Sequence, residues 1–222
     1  IKKFDKSFLN NVDVIFTALP NGDAQKISKY LSNNNKLIDL SADFRIKNPN
    51  EYFKWYKKKH LAKEQIKKSI YSLPEINNKN LKHYSIISCP GCYPTSILLP
   101  LIPLIKDNLI KSKNITIDSK SGYSGAGRQI HITHKNKNLY ESLAVYGVAT
   151  HRHNSEISQE LKKFTGKNVI YNFTPHLLPM FRGILTSIYV DKGKSSNTIK
   201  IINSLKKFYK KSEFIKIMKK NT

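Results

Sequence analysis

The 222 residues predict an α/β protein in two parts, with a parallel sheet and its helices over residues 1–91 and a mixed α+β domain over 92–222. Two patterns carry this prediction. In the first part, apolar runs without polar alternation recur between helical segments, which is typical of strands buried on both faces of a parallel sheet. In the second part, residues 114–120 alternate apolar and polar, as a half-buried antiparallel strand does.

Three buried strands are predicted in the first part, at residues 12–19, 36–41 and 83–88, with a helix over 23–33. Several residues of the sequence motifs come just past the carboxyl ends of these strands: Pro20, Asn21, Asp43, Arg45 and Cys92. Because ligands of parallel α/β sheets bind at the carboxyl ends of the strands, we expect a functional site there.

Cys92 lies where the third strand turns into a predicted helix over residues 95–110, which is apolar on most faces despite Pro100 and Pro103. At a helix N-terminus, backbone N–H groups and the positive end of the dipole favour the thiolate, which is the nucleophilic form of cysteine. The same N–H groups can stabilise a developing oxyanion. Cys92 is therefore a candidate nucleophile.

Two other interpretations fit the cysteines. Cys89 and Cys92 have the C-x-x-C spacing of a thioredoxin-like redox pair. Alternatively, both are small buried apolar residues. A zinc site would need a second pair of ligands, and the chain has no further cysteine.

A glycine-rich turn at residues 121–128 ends in Arg128. Its G-x-x-G-x-G spacing differs from the dinucleotide fingerprint. It predicts either a flexible turn or a loop whose backbone approaches a ligand closely, with Arg128 directed at an anion. The other elements predicted in the second part are strands at 169–173, 184–190 and 214–218, and a helix at 197–209.

A second chemical cluster precedes and enters a predicted helix that extends to residue 163: His151, Arg152, His153 and Glu156. Asn154 or Ser155 is the expected N-cap of this helix. A histidine in this position is a candidate general acid or base, oriented by the glutamate. The alternatives are a metal held by the His-x-His pair and the glutamate, or simple capping and packing of the helix.

The formal net charge is +24, but only four of the 39 basic residues are arginines: Arg45, Arg128, Arg152 and Arg182. The lysines are spread over every polar segment, which indicates a solvated surface rather than a nucleic-acid interface. All four arginines lie in motifs with glycine, aspartate or histidine. Arginine suits bidentate contacts with carboxylates and phosphates, so these four are candidate anion-binding residues.

Two cysteines and the lack of a long apolar run indicate a soluble protein of a reducing compartment rather than a membrane protein. No signal peptide is visible. The chain opens at Ile1, inside a charged segment and without an initiator methionine, from which we expect it to be a fragment.

The chain resembles the N-acetyl-gamma-glutamyl-phosphate reductase family in five motifs, which follow in the family's order between about residues 12 and 190. They are LSADFR at 40–45, SCPGCYPT at 88–95, KSGYSGAGR at 120–128, HRHNSE at 151–156 and FTPHLLPMFRG at 173–183. Each motif alone is modestly specific, and five in order are a strong indication.

The resemblance implies the remainder of a Rossmann-type NADP-binding domain over 1–91. It also implies a catalytic and oligomerisation domain over 92–222, like that of glyceraldehyde-3-phosphate dehydrogenase. The implied protein is a cytoplasmic NADP-dependent enzyme of arginine biosynthesis that acts on a small-molecule acyl phosphate. It is a homo-oligomer, commonly a tetramer, with no nucleic-acid or membrane partner.

In the family mechanism a thiolate, here Cys92, attacks the acyl phosphate, and the resulting thioester is reduced to the semialdehyde. His151 matches the acid/base histidine, with His153 as the alternative. The implied supporting and substrate-binding residues are Arg45, Arg128, Arg152, His153 and Glu156. The implied cofactor contacts are Pro20, Ser124 and Gly125.

The family's N-terminal glycine-rich turn and its C-terminal glycine- and asparagine-bearing segment have no counterpart here. We therefore expect the 222 residues alone to bind NADP poorly and to be inactive. Aspartate-semialdehyde dehydrogenase and a reductase of carrier-linked aminoadipyl phosphate are close alternatives, although the first is not expected to carry His-Arg-His followed by Glu156. A basic, non-catalytic nucleic-acid-binding protein is the alternative from another class, and it would leave Cys92 unreactive.

Overall fold

The structure is a computed structural model that describes residues 4–77, 81–125 and 141–218. It divides into two compact units, Ile1–Gly91 and Cys92–Thr222. No helix within these described ranges is long and apolar enough to cross a bilayer.

The first unit contains a four-stranded parallel sheet in the order β1-β2-β4-β3. Its strands are β1 (Val14–Thr17), β2 (Lys36–Asp39), β3 (Ser69–Tyr71) and β4 (Ile86–Ser88). Its helices are α1 (Asp23–Ser28), α2 (Pro49–Tyr56), α3 (Lys63–Lys67) and α4 (Pro74–Asn77), with 3₁₀ turns at Lys6–Asn11 and Leu81–His83. The parallel sheet predicted for this part is confirmed.

The prediction that the first strand is buried on both faces is wrong. β1 is an edge strand of this sheet, and Phe16 on it is 68% exposed. An apolar run does not distinguish an edge strand from a central one. Strand β3 was not predicted, because three residues that directly follow two lysines give too short a pattern to recognise.

A buried carboxylate organises the first unit. Asp43 is fully buried, and its carboxylate accepts hydrogen bonds from the backbone N–H of Gly22 at 2.7 Å and from the Tyr52 hydroxyl at 3.0 Å. It also accepts from the backbone N–H of Gln25 at 3.2 Å and from its side-chain amide at 3.0 Å. The carboxylate therefore joins the start of α1 to α2.

We expect Asp43→Asn to lower the free energy of unfolding of the first unit by about 3 kcal/mol. The amide nitrogen of asparagine would face N–H donors, and a buried, charge-assisted network would lose its acceptor. Trp55, the chain's only tryptophan, lies on α2 and reports unfolding in urea by its fluorescence. The control is Asp23→Asn at the exposed start of α1, expected to change stability by less than about 0.5 kcal/mol. Equal effects of the two substitutions would contradict this role.

The second unit contains a mixed four-stranded sheet in the order β6-β7-β5-β8, covered by helices. Its strands are β5 (Ile115–Gly122), β6 (Ala144–Val145), β7 (Tyr171–Leu178) and β8 (Ile184–Tyr189). Its helices are α5 (Cys92–Lys106), α6 (His153–Thr165) and α7 (Thr198–Phe208). The mixed α+β architecture is confirmed.

The polar and apolar alternation predicted for β5 is present, but its antiparallel pairing is only half right. β5 pairs antiparallel with β8 and parallel with β7. Pairing depends on which strand lies alongside, and alternation does not specify it. The strand predicted at 214–218 is wrong, because those residues form no strand.

Helix α5 begins at Cys92, three residues earlier than predicted, and contains both prolines. Pro103 has no N–H to give to the carbonyl of Leu99, four residues earlier. The hydroxyl of Tyr209 donates to that carbonyl at 2.6 Å and replaces the missing partner. This explains why an apolar helix tolerates a proline in its interior.

Candidate active site

Cys92 is the first residue of α5, and its side chain is exposed. It lines a cavity of about 360 Å³ whose walls come entirely from the second unit. The lining residues are Cys92, Tyr93, Ser121, Gly125, Ala144, Tyr146, His151, Arg152, His153 and Leu177. The structure therefore brings together the predicted cysteine and both predicted histidines.

The two cysteines differ in environment. Cys89 is half-buried in the first unit, and burial, with the nearby charge of Asp39, raises the pKa of its thiol. Cys92 is exposed at the N-terminus of a fifteen-residue helix, where the helix dipole favours the thiolate. This environment supports Cys92, rather than Cys89, as the nucleophile.

His151 is held at the end of a tight turn. Gly147 has φ of +58°, and its carbonyl accepts a hydrogen bond from the backbone N–H of His151 at 2.8 Å. Nδ1 of His151 in turn accepts from the backbone N–H of His153 at 3.2 Å. With Nδ1 occupied as an acceptor, the neutral ring carries its proton on Nε2.

The charge state of His151 follows from the same surroundings. Burial, reinforced by the positive charge of Arg152, lowers the pKa of His151 to about 4. The ring is therefore neutral near pH 7, with Nε2–H as a hydrogen-bond donor. This arrangement suits a group that donates to an oxygen more than one that removes a proton.

The helix after the histidines begins earlier than predicted. α6 starts at His153 with Arg152 at the N-cap position, so the prediction of Asn154 or Ser155 as N-cap is wrong. Nδ1 of His151 accepts a hydrogen bond from the first backbone N–H of the helix, which is the contact expected from the side chain of Asn154 or Ser155. Glu156 is fully buried in the first turn of α6 and is not among the residues that line the cavity.

Two tyrosines complete the cavity, and the sequence motifs predicted a role for neither of them. The hydroxyls of Tyr93 and Tyr146 lie 2.9 Å apart, and the Tyr93 hydroxyl also donates to the carbonyl of His176 at 3.2 Å. The Tyr93 ring meets His151 edge-on, with centroids 5.5 Å apart. Burial raises the pKa of both tyrosines, so both hydroxyls stay protonated. In the sequence, Tyr93 directly follows Cys92 and Tyr146 directly precedes Gly147. This proximity to motif residues was the sequence signal that could have placed both tyrosines at the site.

The glycine-rich turn is attached to the loop that carries Arg182. The backbone N–H groups of Gly122, Tyr123 and Ser124 donate to the carbonyls of Gly183, Met180 and Phe181, each at 2.9 Å. A Cβ on Gly122 would lie 2.8 Å from the Phe181 carbonyl oxygen, so only glycine fits there. Gly125, next along the turn, lines the cavity, whereas Ser124 does not.

Two other predicted residues are described by the structure but are not on the cavity wall. Arg45 is buried in the first unit, where its guanidinium donates to the carbonyls of Cys89 at 2.8 Å and Leu40 at 2.9 Å. Pro20 is exposed in the first unit, after β1. Arg128 lies outside the described residues.

The metal alternative has no counterpart in the described part of the chain. There, no group of three or more histidine, cysteine or acidic side chains is arranged to hold an ion.

Two family models match the chain. Residues 1–84 match the semialdehyde dehydrogenase NAD binding domain, and residues 92–222 match the semialdehyde dehydrogenase dimerisation domain.

Solved structures of aspartate semialdehyde dehydrogenases share this fold. The structure of the Vibrio cholerae enzyme II with ASA has a TM-score of 0.63 at 16% identity, covering 93% of this chain and 62% of that one. The Francisella tularensis enzyme has a TM-score of 0.64 at 14% identity, covering 92% and 65%.

Curated relatives agree with the resemblance inferred from the five motifs. The N-acetyl-gamma-glutamyl-phosphate reductase of Clostridium novyi is 44% identical over 219 residues, covering 96% of this chain and 62% of the relative. The enzyme of the same name from Vesicomyosocius okutanii is 46% identical over 210 residues, covering 94% and 61%. The chain thus spans less than two thirds of these relatives. The resemblance and the predicted fold class are confirmed, and the chain belongs to the semialdehyde dehydrogenase family.

Proposed function

We propose that the protein is an NADP-dependent N-acetyl-gamma-glutamyl-phosphate reductase of arginine biosynthesis. It would convert N-acetyl-glutamyl 5-phosphate to the 5-semialdehyde through a thioester on Cys92. The observation that carries the proposal is the placement of Cys92, at the start of α5, on the same cavity wall as His151. The curated relatives at 44–46% identity support the choice of substrate.

Cys92 would supply the covalent step. Its thiolate, favoured by the start of α5, would attack the acyl carbon, and phosphate would leave with the electrons of the broken C–O bond. A thioester then replaces the acyl phosphate. The exposed position of the Cys92 side chain leaves room for a substrate to reach it.

His151 would stabilise charge on the substrate oxygen. Its Nε2–H is available as a donor, because Nδ1 is occupied by the N–H of His153. A neutral N–H donor in a buried site stabilises an oxyanion by a hydrogen bond, and no proton has to be transferred for this. The same Nε2–H would hold the oxygen of the thiohemiacetal by a hydrogen bond until that intermediate collapses to the semialdehyde and releases the Cys92 thiolate. In this proposal His151 therefore acts as a hydrogen-bond donor, which is the acid side of the acid/base role that the resemblance implies.

Anionic parts of the substrate need cations. Arg152 lines the cavity, next to His151, and is the arginine best placed within the described residues to meet the phosphate or the carboxylate. Arg128, His153 and Glu156 stay in the proposal as supporting residues. Arg45 stays as a supporting residue of the first unit, where it stabilises the segment before Cys92 by binding the Cys89 carbonyl.

The nicotinamide dinucleotide would supply the hydride, and the NAD binding domain model over residues 1–84 supports this class of cofactor. The start of α1 does not fit its phosphates, because the N–H groups of Gly22 and Gln25 already donate to the Asp43 carboxylate. We therefore derive no step through the dinucleotide. NADP as the specific cofactor, with contacts from Pro20, Ser124 and Gly125, remains a proposal.

The same proposal assigns a separate function to each of the two units. Residues 1–91 would belong to the cofactor-binding domain, and residues 92–222 to the catalytic and oligomerisation domain of a cytoplasmic homo-oligomer, commonly a tetramer. The dimerisation domain model over 92–222 supports self-association.

The test is a substrate comparison with the full gene product. We expect NADPH oxidation with N-acetyl-glutamyl 5-phosphate, with kcat/KM at least about tenfold above the values for aspartyl and aminoadipyl phosphates. A preference for aspartyl phosphate would overturn the substrate assignment but not the enzyme class. Turnover with none of the three acyl phosphates would overturn both.

A further inference from the structure

Two tyrosine side chains on the cavity wall are held by neighbouring residues of β7. Tyr93, the second residue of α5, donates from its hydroxyl to the carbonyl of His176 at 3.2 Å. Tyr146 directly follows β6, and its backbone N–H donates to the carbonyl of Pro175 at 3.2 Å. The two hydroxyl oxygens lie 2.9 Å apart. The pair is therefore a fixed part of the wall.

The direction of the hydrogen bond between the hydroxyls follows from the carbonyl. Burial raises the pKa of both tyrosines, so each hydroxyl keeps its single hydrogen. A carbonyl oxygen can only accept, so the hydrogen of Tyr93 points to His176. The bond between the two hydroxyls is then one that Tyr146 donates and Tyr93 accepts. The hydrogen of Tyr146 is thus occupied, and its oxygen keeps lone pairs that can accept.

The hydroxyl oxygen of Tyr146 is the one that a substrate in the cavity can reach. Tyr146 is 38% exposed, whereas Tyr93 and Ser121, which also carry hydroxyls on this wall, are 2% and 5% exposed. The Tyr146 ring meets His151 edge-on, with centroids 5.5 Å apart. A neutral acceptor beside His151 suits an N–H donor, and it does not suit a carboxylate or phosphate oxygen, which is itself an acceptor.

The substrate under Proposed function contains one group that matches this acceptor. Its phosphate and carboxylate oxygens accept hydrogen bonds, and they suit the Nε2–H of His151 and the guanidinium of Arg152. Its acetamido group carries an N–H, which needs an acceptor when it leaves water. The hydroxyl oxygen of Tyr146 supplies one.

We propose that Tyr146 is a specificity-determining residue, whose hydroxyl oxygen accepts a hydrogen bond from the amide N–H of an N-acylated substrate. Tyr93 is a positioning residue, because it keeps the hydrogen of Tyr146 turned away from the substrate. This inference rests on the proposed function and deepens it. A substrate without the N–H would leave the Tyr146 oxygen without a donor and would bind less well.

The test compares two substrates of nearly the same shape on the full gene product. One is N-acetyl-glutamyl 5-phosphate, and the other is its ester analogue, in which an oxygen atom replaces the amide nitrogen. The wild type should prefer the amide by about tenfold or more in kcat/KM, and Tyr146→Phe should reduce this preference to less than about threefold. Tyr146→Phe should also raise KM for the amide more than it lowers kcat, because the bond is made before the chemical step.

Two further variants separate the hydroxyl pair from general damage. Tyr93→Phe retains the aromatic ring beside His151 but lets the hydrogen of Tyr146 turn into the cavity, so the amide preference should fall at least about threefold. The matched control is Tyr171→Phe. The Tyr171 hydroxyl bonds to Ser158 at 2.8 Å and to the carbonyl of Asn154 at 3.0 Å, and Tyr171 does not line the cavity. Its substitution should leave the preference unchanged. A loss of folded protein lowers both rates equally and cancels in the ratio.

The outcomes separate this inference from the proposed function. An amide preference that is lost in Tyr146→Phe and kept in Tyr171→Phe supports the role of Tyr146. A preference that is absent in the wild type, unchanged in Tyr146→Phe or equally lost in Tyr171→Phe overturns that role and leaves the reductase standing. A preference unchanged in Tyr93→Phe overturns the positioning role of Tyr93. A wild type that turns over neither substrate overturns the proposed function, and this inference with it.

Discussion

Cys92→Ser is expected to lower kcat/KM for the acyl phosphate by at least about 10⁴-fold. A serine hydroxyl at this position is a far weaker nucleophile than a thiolate stabilised by the start of α5, and no thioester can form. Steady-state rates of NADPH oxidation measure the loss. Mass spectrometry of the denatured protein after mixing with acyl phosphate alone should detect an added acyl group on the wild type and none on the variant.

The matched control is Cys89→Ser, three residues away. Cys89 is half-buried with a raised thiol pKa, so its substitution should change kcat/KM by less than about fivefold. A thioredoxin-like pair would behave differently, since both substitutions would then abolish activity. If Cys92→Ser retained the wild-type rate, Cys92 would not be the nucleophile and the proposed chemistry would fail with it.

His151→Ala is expected to lower kcat by about 10²- to 10³-fold, whereas His151→Gln should retain activity to within about tenfold of the wild type. The difference comes from the hydrogen bond that occupies Nδ1 and leaves Nε2–H as the working group. Glutamine also places an N–H donor at the end of its side chain, but it is not basic. A base role for His151 would make both substitutions equally damaging.

The pH dependence provides an independent readout of the same group. The pKa of His151 is lowered to about 4, so the neutral form persists as the pH falls through 6.5, where an ordinary histidine gains its proton. We expect kcat to show no ionisation from His151 between about pH 5 and 8, and His151→Gln to leave the shape of the profile unchanged. A limb near pH 6.5 that disappears in His151→Gln would contradict the neutral-donor role.

The lowered pKa also has a consequence for stability, with a definite sign. In the unfolded chain His151 takes up a proton near its ordinary pKa of about 6.5, whereas in the folded chain it does so only near 4. Its contribution to stability is therefore fully present above about pH 6.5 and is lost as the pH falls toward 4. The group thus favours the folded state at neutral pH.

Much of the architecture follows from local patterns. Apolar runs and helical spacing between residues 12 and 110 predict a parallel α/β sheet, and the position of Cys92 after a strand predicts its place at a helix start. These predictions succeed because they depend on the periods of strand and helix, which neighbouring residues determine. The histidine motif likewise predicts its location just before α6, to within two residues.

The tertiary structure decided what depends on distant partners. That Tyr93 and Tyr146 meet on one cavity wall, that β5 pairs parallel with β7, and that Arg45 binds backbone carbonyls are all results of contacts between segments far apart in sequence. The sequence by itself determined the fold class and the family, and it predicted which residues are candidates for the chemistry. Which oxygen or nitrogen each of those residues has as its partner depends on non-local hydrogen bonds and burial, and these arise only when the chain has folded.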